Sequence, residues 1–124
     1  MPIETHSEIE NLCVHLFCKG EFEVKSMEAA FLESFELASK NNLSLILVNG
    51  FDLFGKPPTT LERFNLGEYV ADLCRQFKIP IWIALAAHIP IVDHERFGET
   101  VARNRGANGK VFTDLEEAKA WLKI

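Results

Sequence analysis

The sequence contains few cysteines and no C-x-x-C pair. Its three cysteines are Cys13, Cys18 and Cys74, and a disulfide between any two of them would leave one over. Scattered thiols in odd number are typical of a reducing compartment and argue against a disulfide framework. All three lie in apolar surroundings, which raise a thiol pKa, whereas a nucleophilic cysteine needs a lowered one. No G-x-S-x-G motif is present either.

The sequence also lacks a long apolar run and an excess of basic residues. Its longest apolar run, residues 79–92, is broken by Pro80, His88 and Pro90 and is too short to span a bilayer. The opening stretch MPIETHSEIE is acidic and polar, so we expect no secretory signal. Thirteen Lys and Arg against 18 Asp and Glu give a net charge of −5, which leaves no general footprint for nucleic acid or anionic lipid. We expect a cytoplasmic protein with no nucleic-acid or membrane partner.

The length and composition fit one globular domain. The chain has 124 residues, of which 48% are hydrophobic and 25% are charged. A domain of this size buries roughly two-thirds of the surface of its unfolded chain. Neither a linker nor a low-complexity tract interrupts the sequence. We therefore expect residues 1–124 to form a single domain.

Strand and helix patterns alternate along the chain. The predicted strands are residues 14–18, 43–48, 81–87 and 110–113, and the predicted helices begin at Ser26, at Thr59 or Thr60, at Asp93 and at Asp114. The runs 43–48 and 81–87 are apolar throughout, as in strands that are buried on both faces. Four strand–helix units joined by short loops predict an α/β fold with a mostly parallel sheet covered by helices. Residues 3–9 are a candidate edge strand.

The apolar spacing within each helix predicts the face that it buries. Positions three, four and seven residues apart recur, as expected for an amphipathic helix. The predicted core positions are Met27, Phe31 and Phe35, then Leu66, Val70, Leu73, Cys74 and Phe77, then Phe97 and Val101, and finally Leu115, Ala118, Trp121 and Leu122. Asn41 and Gly106 are the predicted stop residues of the first and third helices.

Residues 49–64, NGFDLFGKPPTTLERF, contain the frame of a phosphate-binding loop. Gly50, Gly55 and Lys56 match G-x-x-x-x-G-K, but Pro57 stands where a Ser or Thr must ligate Mg²⁺. Proline also has no N–H to donate to a phosphate. We interpret the stretch as a stiff strand-to-helix connection, in which the bulky residues 51–54 pack a loop against the core.

Thr59 and Thr60 stand at the predicted start of the second helix. Residues 59–62, Thr-Thr-Leu-Glu, match the capping box, and Thr-Asp-Leu-Glu at 113–116 matches it again at the last helix. Each such cap stabilises its helix by about 1 kcal/mol. Because the same device begins two helices, capping explains Thr59 without a role in phosphorylation.

Ligands of open parallel sheets bind outside the carboxyl ends of the strands. The residues expected there are Gly20, Asn49, Asp52, His88, Thr113 and Asp114. His88 with Asp93 and His94 is the only cluster of titratable side chains that could resemble a metal or acid–base site, and its spacing matches no helical pair of metal ligands. We therefore expect no metal and no cofactor.

One concentration of basic residues lies between positions 96 and 110. It contains Arg96, Arg103, Arg105 and Lys110. Arg103 and Arg105 fall in the predicted last turn of the third helix, where cations favour the helix dipole. An anion or an acidic partner is a second explanation for these arginines.

Two segments resemble the small bacterial SpoIIAA-like proteins, which are relatives of the STAS domain. They are GKPPTTLERFNLGEYVADL, residues 55–73, and RFGETVARNRGANGKVFTDLEEAKAWL, residues 96–122. The resemblance covers roughly residues 43–124. It implies a βα superhelical fold, with helices around a small, mainly parallel sheet, and a non-enzymatic role such as that of anti-sigma factor antagonists. In those relatives a phosphorylatable Ser follows a central strand, whereas this chain has Thr59 and Thr60 after two prolines.

Three hypotheses of function follow. The first is a non-catalytic binding or regulatory module that binds a partner protein or a small ligand near the strand ends or the arginines at 103 and 105. The second is a small α/β enzyme or phosphate-ligand binder that uses Asn49, Lys56, His88 and Asp93. The third is a carrier of hydrophobic ligands, suggested by ten phenylalanines, which requires an enclosed apolar cavity.

Self-association is a further expectation for this chain. Phe51 and Phe54 lie in the predicted strand-to-helix connection, where part of their surface would be exposed. A second copy is therefore a candidate partner alongside another protein.

Overall fold

A five-stranded sheet forms the centre of the molecule, with its strands in the order β1-β2-β3-β4-β5. The computed structural model describes residues 3–77, 80–93 and 95–124. The strands are β1 (Glu4–Glu10), β2 (Cys13–Glu21), β3 (Leu45–Phe54), β4 (Trp82–Ala86) and β5 (Asn108–Phe112). The helices are α1 (Val24–Lys40), α2 (Thr60–Gln76), α3 (Phe97–Asn104) and α4 (Leu115–Leu122).

Strands β2 to β5 are parallel, and β1 pairs with β2 in the antiparallel direction. Each parallel strand lies beside the next one in the chain, so right-handed crossovers place the three connecting helices on the same face. Helices α1, α2 and α3 cover that face, and α4 packs on the other face against β3, β4 and β5. The α/β fold and the N-terminal edge strand predicted from the sequence are confirmed.

Side chains alternate between the two faces along each buried strand. One core cluster joins the helices α1 to α3 to strand residues that include Val14, Leu16, Ile46, Val48 and Ile83. The other joins Ala118 and Leu122 of α4 to Cys13, Leu47, Ala84, Ala86 and Phe112. The predicted core positions of the four helices all lie in these clusters or are at least half-buried. The continuous apolar runs of β3 and β4 therefore belong to strands that are covered on both faces, as predicted.

Strand β3 is longer than the sequence pattern indicated. It continues to Phe54, because Asp52, Leu53 and Phe54 pair with Lys19, Gly20 and Glu21 of β2 after a shift in register. The interpretation of residues 51–54 as a loop is therefore wrong. Polar Asn49 and Asp52 lie inside the strand, and only the partner strand reveals that the pairing goes on.

The predicted start of α1 at Ser26 and the predicted capping box at Thr113 are also wrong. Helix α1 has Glu23 as its N-cap, and Ser26 lies inside the helix, where its Oγ donates to Glu23 Oε1 at 2.9 Å. Helix α4 is capped by Asp114, which accepts from the N–H groups of Glu116 and Glu117 at 2.8 and 3.1 Å. The carboxylate of Asp114 reaches both donors, so Thr113 has no capping role.

The remaining helix ends follow the predicted residues more closely. Thr59 caps α2 with both bonds of a capping box. The carboxylate of Asp93 accepts from Phe97 N–H at 3.2 Å, although the N-cap position itself belongs to Arg96. Gly106 follows α3 with φ +92°, the left-handed conformation expected of a C-terminal glycine.

Candidate functional site

An apolar cavity lies between the sheet and helices α1 to α3, at the carboxyl edge of the parallel strands. Its volume is about 100 Å³, and it is partly open to solvent. Its apolar wall consists of Phe22, Met27, Phe31, Leu53, Pro58, Leu66, Val70, Ile83, Leu85, Ile91, Val92, Ala102 and Val111. The crevice beyond the strand ends is where open parallel sheets bind their ligands, so this cavity is the candidate site.

Helices α2 and α3 meet beside the cavity through two glycines. A Cβ added to Gly67 would lie 2.6 Å from the carbonyl oxygen of Gly98 and 2.9 Å from Cβ of Val101. Neither helix could approach the other so closely with a side chain at position 67. The crossing fixes the distance between the two helices that form one side of the cavity.

Arg63 closes part of the cavity rim. Its guanidinium donates to the carbonyl oxygens of Ile91 at 2.8 Å and Pro90 at 2.9 Å, and it lies 3.6 Å from Asp93 Oδ1. The Arg63 side chain is only 12% exposed. Asp93 in turn accepts from Phe97 N–H, the first residue of α3. Arg63 therefore ties the segment that follows β4 to helix α2.

Three further charged residues line the same cavity, namely Arg96, Glu99 and Lys110. Glu99 Oε1 accepts a hydrogen bond from Val111 N–H at 2.8 Å, which joins α3 to β5. Arg96 has a left-handed backbone, with φ 53°. Within the described residues, the Arg96 guanidinium forms no ion pair with a carboxylate. The cavity thus has an apolar interior and, at its rim, one arginine that forms no ion pair within the described residues.

The connection from β3 to α2 lies above one wall of the cavity. Gly55 has φ +109°, a conformation that favours glycine. Lys56 and Pro57 are exposed, Pro58 is buried against the cavity, and Thr59 begins α2. This arrangement does not form a phosphate loop, because Gly50 and the residues up to Phe54 belong to a paired strand.

Two large apolar side chains of this connection face solvent. Phe54 at the end of β3 is 60% exposed, and Leu61 in the first turn of α2 is 67% exposed. Phe51, by contrast, packs with the core cluster beneath α4. The exposed surface of the connection therefore includes Phe54 and Leu61, with Lys56 and Thr60 beside them in the chain.

The structure does not bring the four residues of the enzyme hypothesis together. Asn49 accepts from Phe51 N–H at 3.1 Å and lines a separate cavity of about 50 Å³ on the α4 face. Asp93 lines the large cavity on the opposite face of the sheet.

His88 is exposed, with its ring 4.7 Å from that of Phe51, and Lys56 is exposed on the connection. Asp52 is also exposed. His94 lies outside the described residues.

The two candidate arginines of α3 differ in their surroundings. Arg105 follows the helix, and its Nε lies 3.2 Å from Glu68 Oε2 of α2, while its guanidinium lies 5.2 Å from the centre of the Phe64 ring. Arg103 is exposed in the last turn. Arg105 therefore holds the end of α3 against α2.

Burial raises the pKa of each cysteine thiol. The pKa of Cys13 rises to about 11, although a backbone hydrogen bond from Leu47 opposes the rise. The pKa of Cys18 rises to about 12, where the charge of Glu33 adds to the effect of burial. Burial also raises the pKa of Cys74. The thiols are therefore protonated near neutral pH, as expected from their apolar surroundings.

Within residues 3–77, 80–93 and 95–124, no three His, Cys, Asp or Glu side chains form a group that could hold a metal ion. Among the helices of this part of the chain, none is long and apolar enough to cross a bilayer.

Comparison with known proteins identifies the fold. No protein-family model and no curated protein sequence matches the chain. Among solved structures, an anti-sigma factor antagonist from Mycobacterium paratuberculosis is similar, with a TM-score of 0.61 and 11% sequence identity. The match covers 98% of this chain and 95% of the other. The chain therefore has the fold of an anti-sigma factor antagonist, which confirms the SpoIIAA-like, STAS-related fold implied by the sequence resemblance.

The sequence pattern did not indicate the residues at the rim of the cavity as a group. Arg63, Arg96 and Glu99 lie in three segments that only the packing of α2, α3 and β5 brings together. One signal was present in Gly67, because a glycine in the middle of a helix costs about 1 kcal/mol and often has a packing reason. That signal predicts a close helix contact but no cavity.

Proposed function

We propose that the protein is a non-catalytic regulatory module that binds a partner protein through the exposed β3–α2 connection. The fold supports this proposal, since an anti-sigma factor antagonist has a similar structure over nearly the whole length of this chain. By that analogy, the proposed partner is an anti-sigma factor. The separation of Asn49 from Asp93 on opposite faces supports a role without catalysis.

The observation that carries the proposal is the exposure of Phe54 and Leu61 on a rigid support. Large apolar side chains that face solvent within one short stretch of the chain are a feature of protein-binding sites. Behind them, Pro58 is buried and Thr59 is held by the capping box. A surface that is already ordered loses little entropy on binding. The partner would present apolar side chains to Phe54 and Leu61 and an acidic group to Lys56.

Thr59 and Thr60 are part of this proposed surface. Both are exposed, yet the Thr59 hydroxyl accepts from Glu62 N–H at 3.1 Å as a helix cap. We assign Thr59 a structural role, so that binding to the partner requires no phosphorylation. Three thiols without disulfides support a reducing, cytoplasmic location.

The experiment measures binding between the purified protein and the purified anti-sigma factors encoded in its own genome. Phe54→Ser and Leu61→Ser are each expected to weaken binding about tenfold or more, as for residues at the centre of an interface. Leu12→Ser is the matched control, because Leu12 is 75% exposed but lies in the β1–β2 turn at the opposite edge of the sheet.

Unchanged binding in both Phe54→Ser and Leu61→Ser, or equal weakening by Leu12→Ser, would contradict the proposed surface. Failure of every anti-sigma factor to bind would contradict the proposed partner. Circular dichroism of each variant confirms that the fold is retained. Light scattering at increasing concentration shows whether a second copy occupies the same surface instead.

A further inference from the structure

We propose that the cavity between the sheet and helices α1 to α3 binds a small amphipathic anion, with an apolar tail inside the cavity and a carboxylate or phosphate head at Arg96. This site is separate from the proposed partner surface, and the inference does not depend on that proposal. It rests on the apolar wall, the volume of the cavity and the distribution of charge at its rim.

The inner wall offers apolar contact from every side. Met27 and Phe31 come from α1, Leu66 and Val70 from α2, and Ile83 and Ile91 from β4 and the segment after it. Enclosed apolar cavities accept small apolar molecules, and one of about 150 Å³ holds benzene. A volume of about 100 Å³ with an open side suits a tail that begins inside and continues toward solvent.

The charged groups at the cavity other than Arg96 already have partners within the protein. Asp93 lies beside Arg63 and accepts from Phe97 N–H, and Glu99 accepts from Val111 N–H. Lys110 also lines the cavity, but its Nζ lies over the ring of Phe112, which belongs to the core cluster beneath α4. These groups therefore have partners of their own.

Arg96 is the remaining charged group at the cavity. No carboxylate of the described residues forms an ion pair with it. It directly precedes α3, a helix of 8 residues, whose N-terminal dipole adds to the positive potential there. A negatively charged head would supply the missing partner, and guanidinium binds carboxylate and phosphate well. The geometry thus favours an anion at the rim over a neutral polar group.

The test uses octanoate as the probe. Its binding is measured by isothermal titration calorimetry and by the NMR signals of the side-chain methyl groups. We expect saturable binding of octanoate, with shifts of the methyl signals of Met27, Ile83 and Ile91. Acetate, which has no tail, should bind at least about tenfold more weakly. Octyl phosphate compared with octanoate decides which anionic head the site prefers.

Two variants separate the contributions of the tail and the head. Gly109 lines the cavity, so Gly109→Val places side-chain atoms at it. The nearest atom to a Cβ at position 109 would be Ile83 Cγ2, at 3.4 Å, so the added side chain has room. This variant should weaken octanoate and octan-1-ol alike. Arg96→Asn removes the cation and keeps a residue type that tolerates the left-handed backbone. It should weaken octanoate about tenfold but leave octan-1-ol unchanged.

Arg103→Gln is the matched control for charge, because Arg103 is an exposed arginine of the same helix that does not line the cavity. It should leave octanoate binding unchanged. The proposal is overturned if neither octanoate nor octyl phosphate binds saturably, or if Arg103→Gln weakens binding as much as Arg96→Asn. Methyl shifts of wild-type protein that avoid Met27, Ile83 and Ile91 would also overturn it, whether or not Gly109→Val folds.

Discussion

Gly67 of α2 and Gly98 of α3 are in direct backbone contact. A Cβ on Gly67 would come within 2.6 Å of the Gly98 carbonyl oxygen, closer than real Cβ atoms approach such an atom. On the other side of the crossing, a Cβ on Gly98 would lie 3.3 Å from the carbonyl oxygen of Arg63. The two glycines therefore differ in the space that surrounds them, and this difference is measurable.

Gly67→Ala should destabilise the protein. Forcing a methyl group into this contact costs about 1–3 kcal/mol, from which the better helix propensity of alanine recovers up to about 1 kcal/mol. Gly98→Ala meets a looser contact and should cost at least about 1 kcal/mol less than Gly67→Ala. Urea unfolding measures both free energies. Equal losses for the two variants would show that the crossing is not the tight contact described.

Thr59→Ala should lower the free energy of unfolding by about 1 kcal/mol, the usual effect of losing a helix cap. The variant loses the bond from Glu62 N–H to the Thr59 hydroxyl, although Glu62 Oε1 still accepts from the Thr59 N–H. Thr59→Ser keeps the acceptor and should be nearly neutral. Thr60→Ala tests the neighbouring hydroxyl, and a loss there as large as that of Thr59→Ala would contradict the assigned cap.

Arg63→Gln should destabilise the protein by about 2 kcal/mol, since hydrogen bonds from a charged donor in a buried setting are worth about 1.5–3 kcal/mol. The carbonyl oxygens of Pro90 and Ile91 lose their donor, and Asp93 loses its nearest cation. Amide hydrogen exchange should rise in residues 91–93 and 97–99.

Arg75→Gln provides the contrast to Arg63→Gln. Arg75 pairs with Asp72, but the two side chains are 56% and 55% exposed. Exposed pairs contribute about 0–1 kcal/mol, so this variant should stay close to wild type in urea unfolding. If Arg75→Gln proved as costly as Arg63→Gln, burial would not be the reason for the difference.

The buried thiols should make the protein less stable at alkaline pH. Unfolded cysteines ionise near a pKa of about 8.5, whereas the pKa of native Cys13 is about 11 and that of native Cys18 about 12. Between these values the native state holds protons that the unfolded state has lost. By linkage, the contribution of the two thiols to the free energy of unfolding is complete below about pH 8.5 and is lost as the pH rises toward the native pKa values.

Unfolding in urea at several pH values from neutral to pH 10 or so measures this loss. Cys18→Ala isolates the effect from the titration of other groups. This variant lowers stability at neutral pH by leaving a small cavity. Its free energy of unfolding should nevertheless fall less steeply with pH, because unfolding releases about one proton fewer than in the wild type. An unchanged slope in Cys18→Ala would mean that the native and unfolded thiols ionise together.

The fold could be predicted from the sequence because its signals are local. The apolar runs of β3 and β4, the periodic faces of α1 and α2, and Gly106 after α3 each depend on neighbouring residues alone. The continuation of β3 to Phe54 could not be predicted in the same way. It depends on β2, which is more than twenty residues away in the chain, and on a register shift where Asn49 accepts from Phe51 N–H.

The candidate site was harder to predict for a related reason. The sequence indicates Asp93 as a helix cap and Arg96 as one of four clustered basic residues, but the partner of Asp93, Arg63, comes from a distant position in the chain. A cavity is the space that side chains leave between them, so no single residue indicates it. Thr59 was predicted correctly, because a capping box needs only residues within one helical turn.

Strand β1 bears on how copies of this protein meet one another. It is an edge strand, and Glu4, Glu8 and Glu10 lie on one face of it, opposite Lys19, His15 and Cys13. An exposed edge can template pairing with another chain, and charged side chains along it oppose such pairing. Three carboxylates on seven residues make sheet extension between copies repulsive at neutral pH. The acidic edge thus protects the protein from aggregation through this strand.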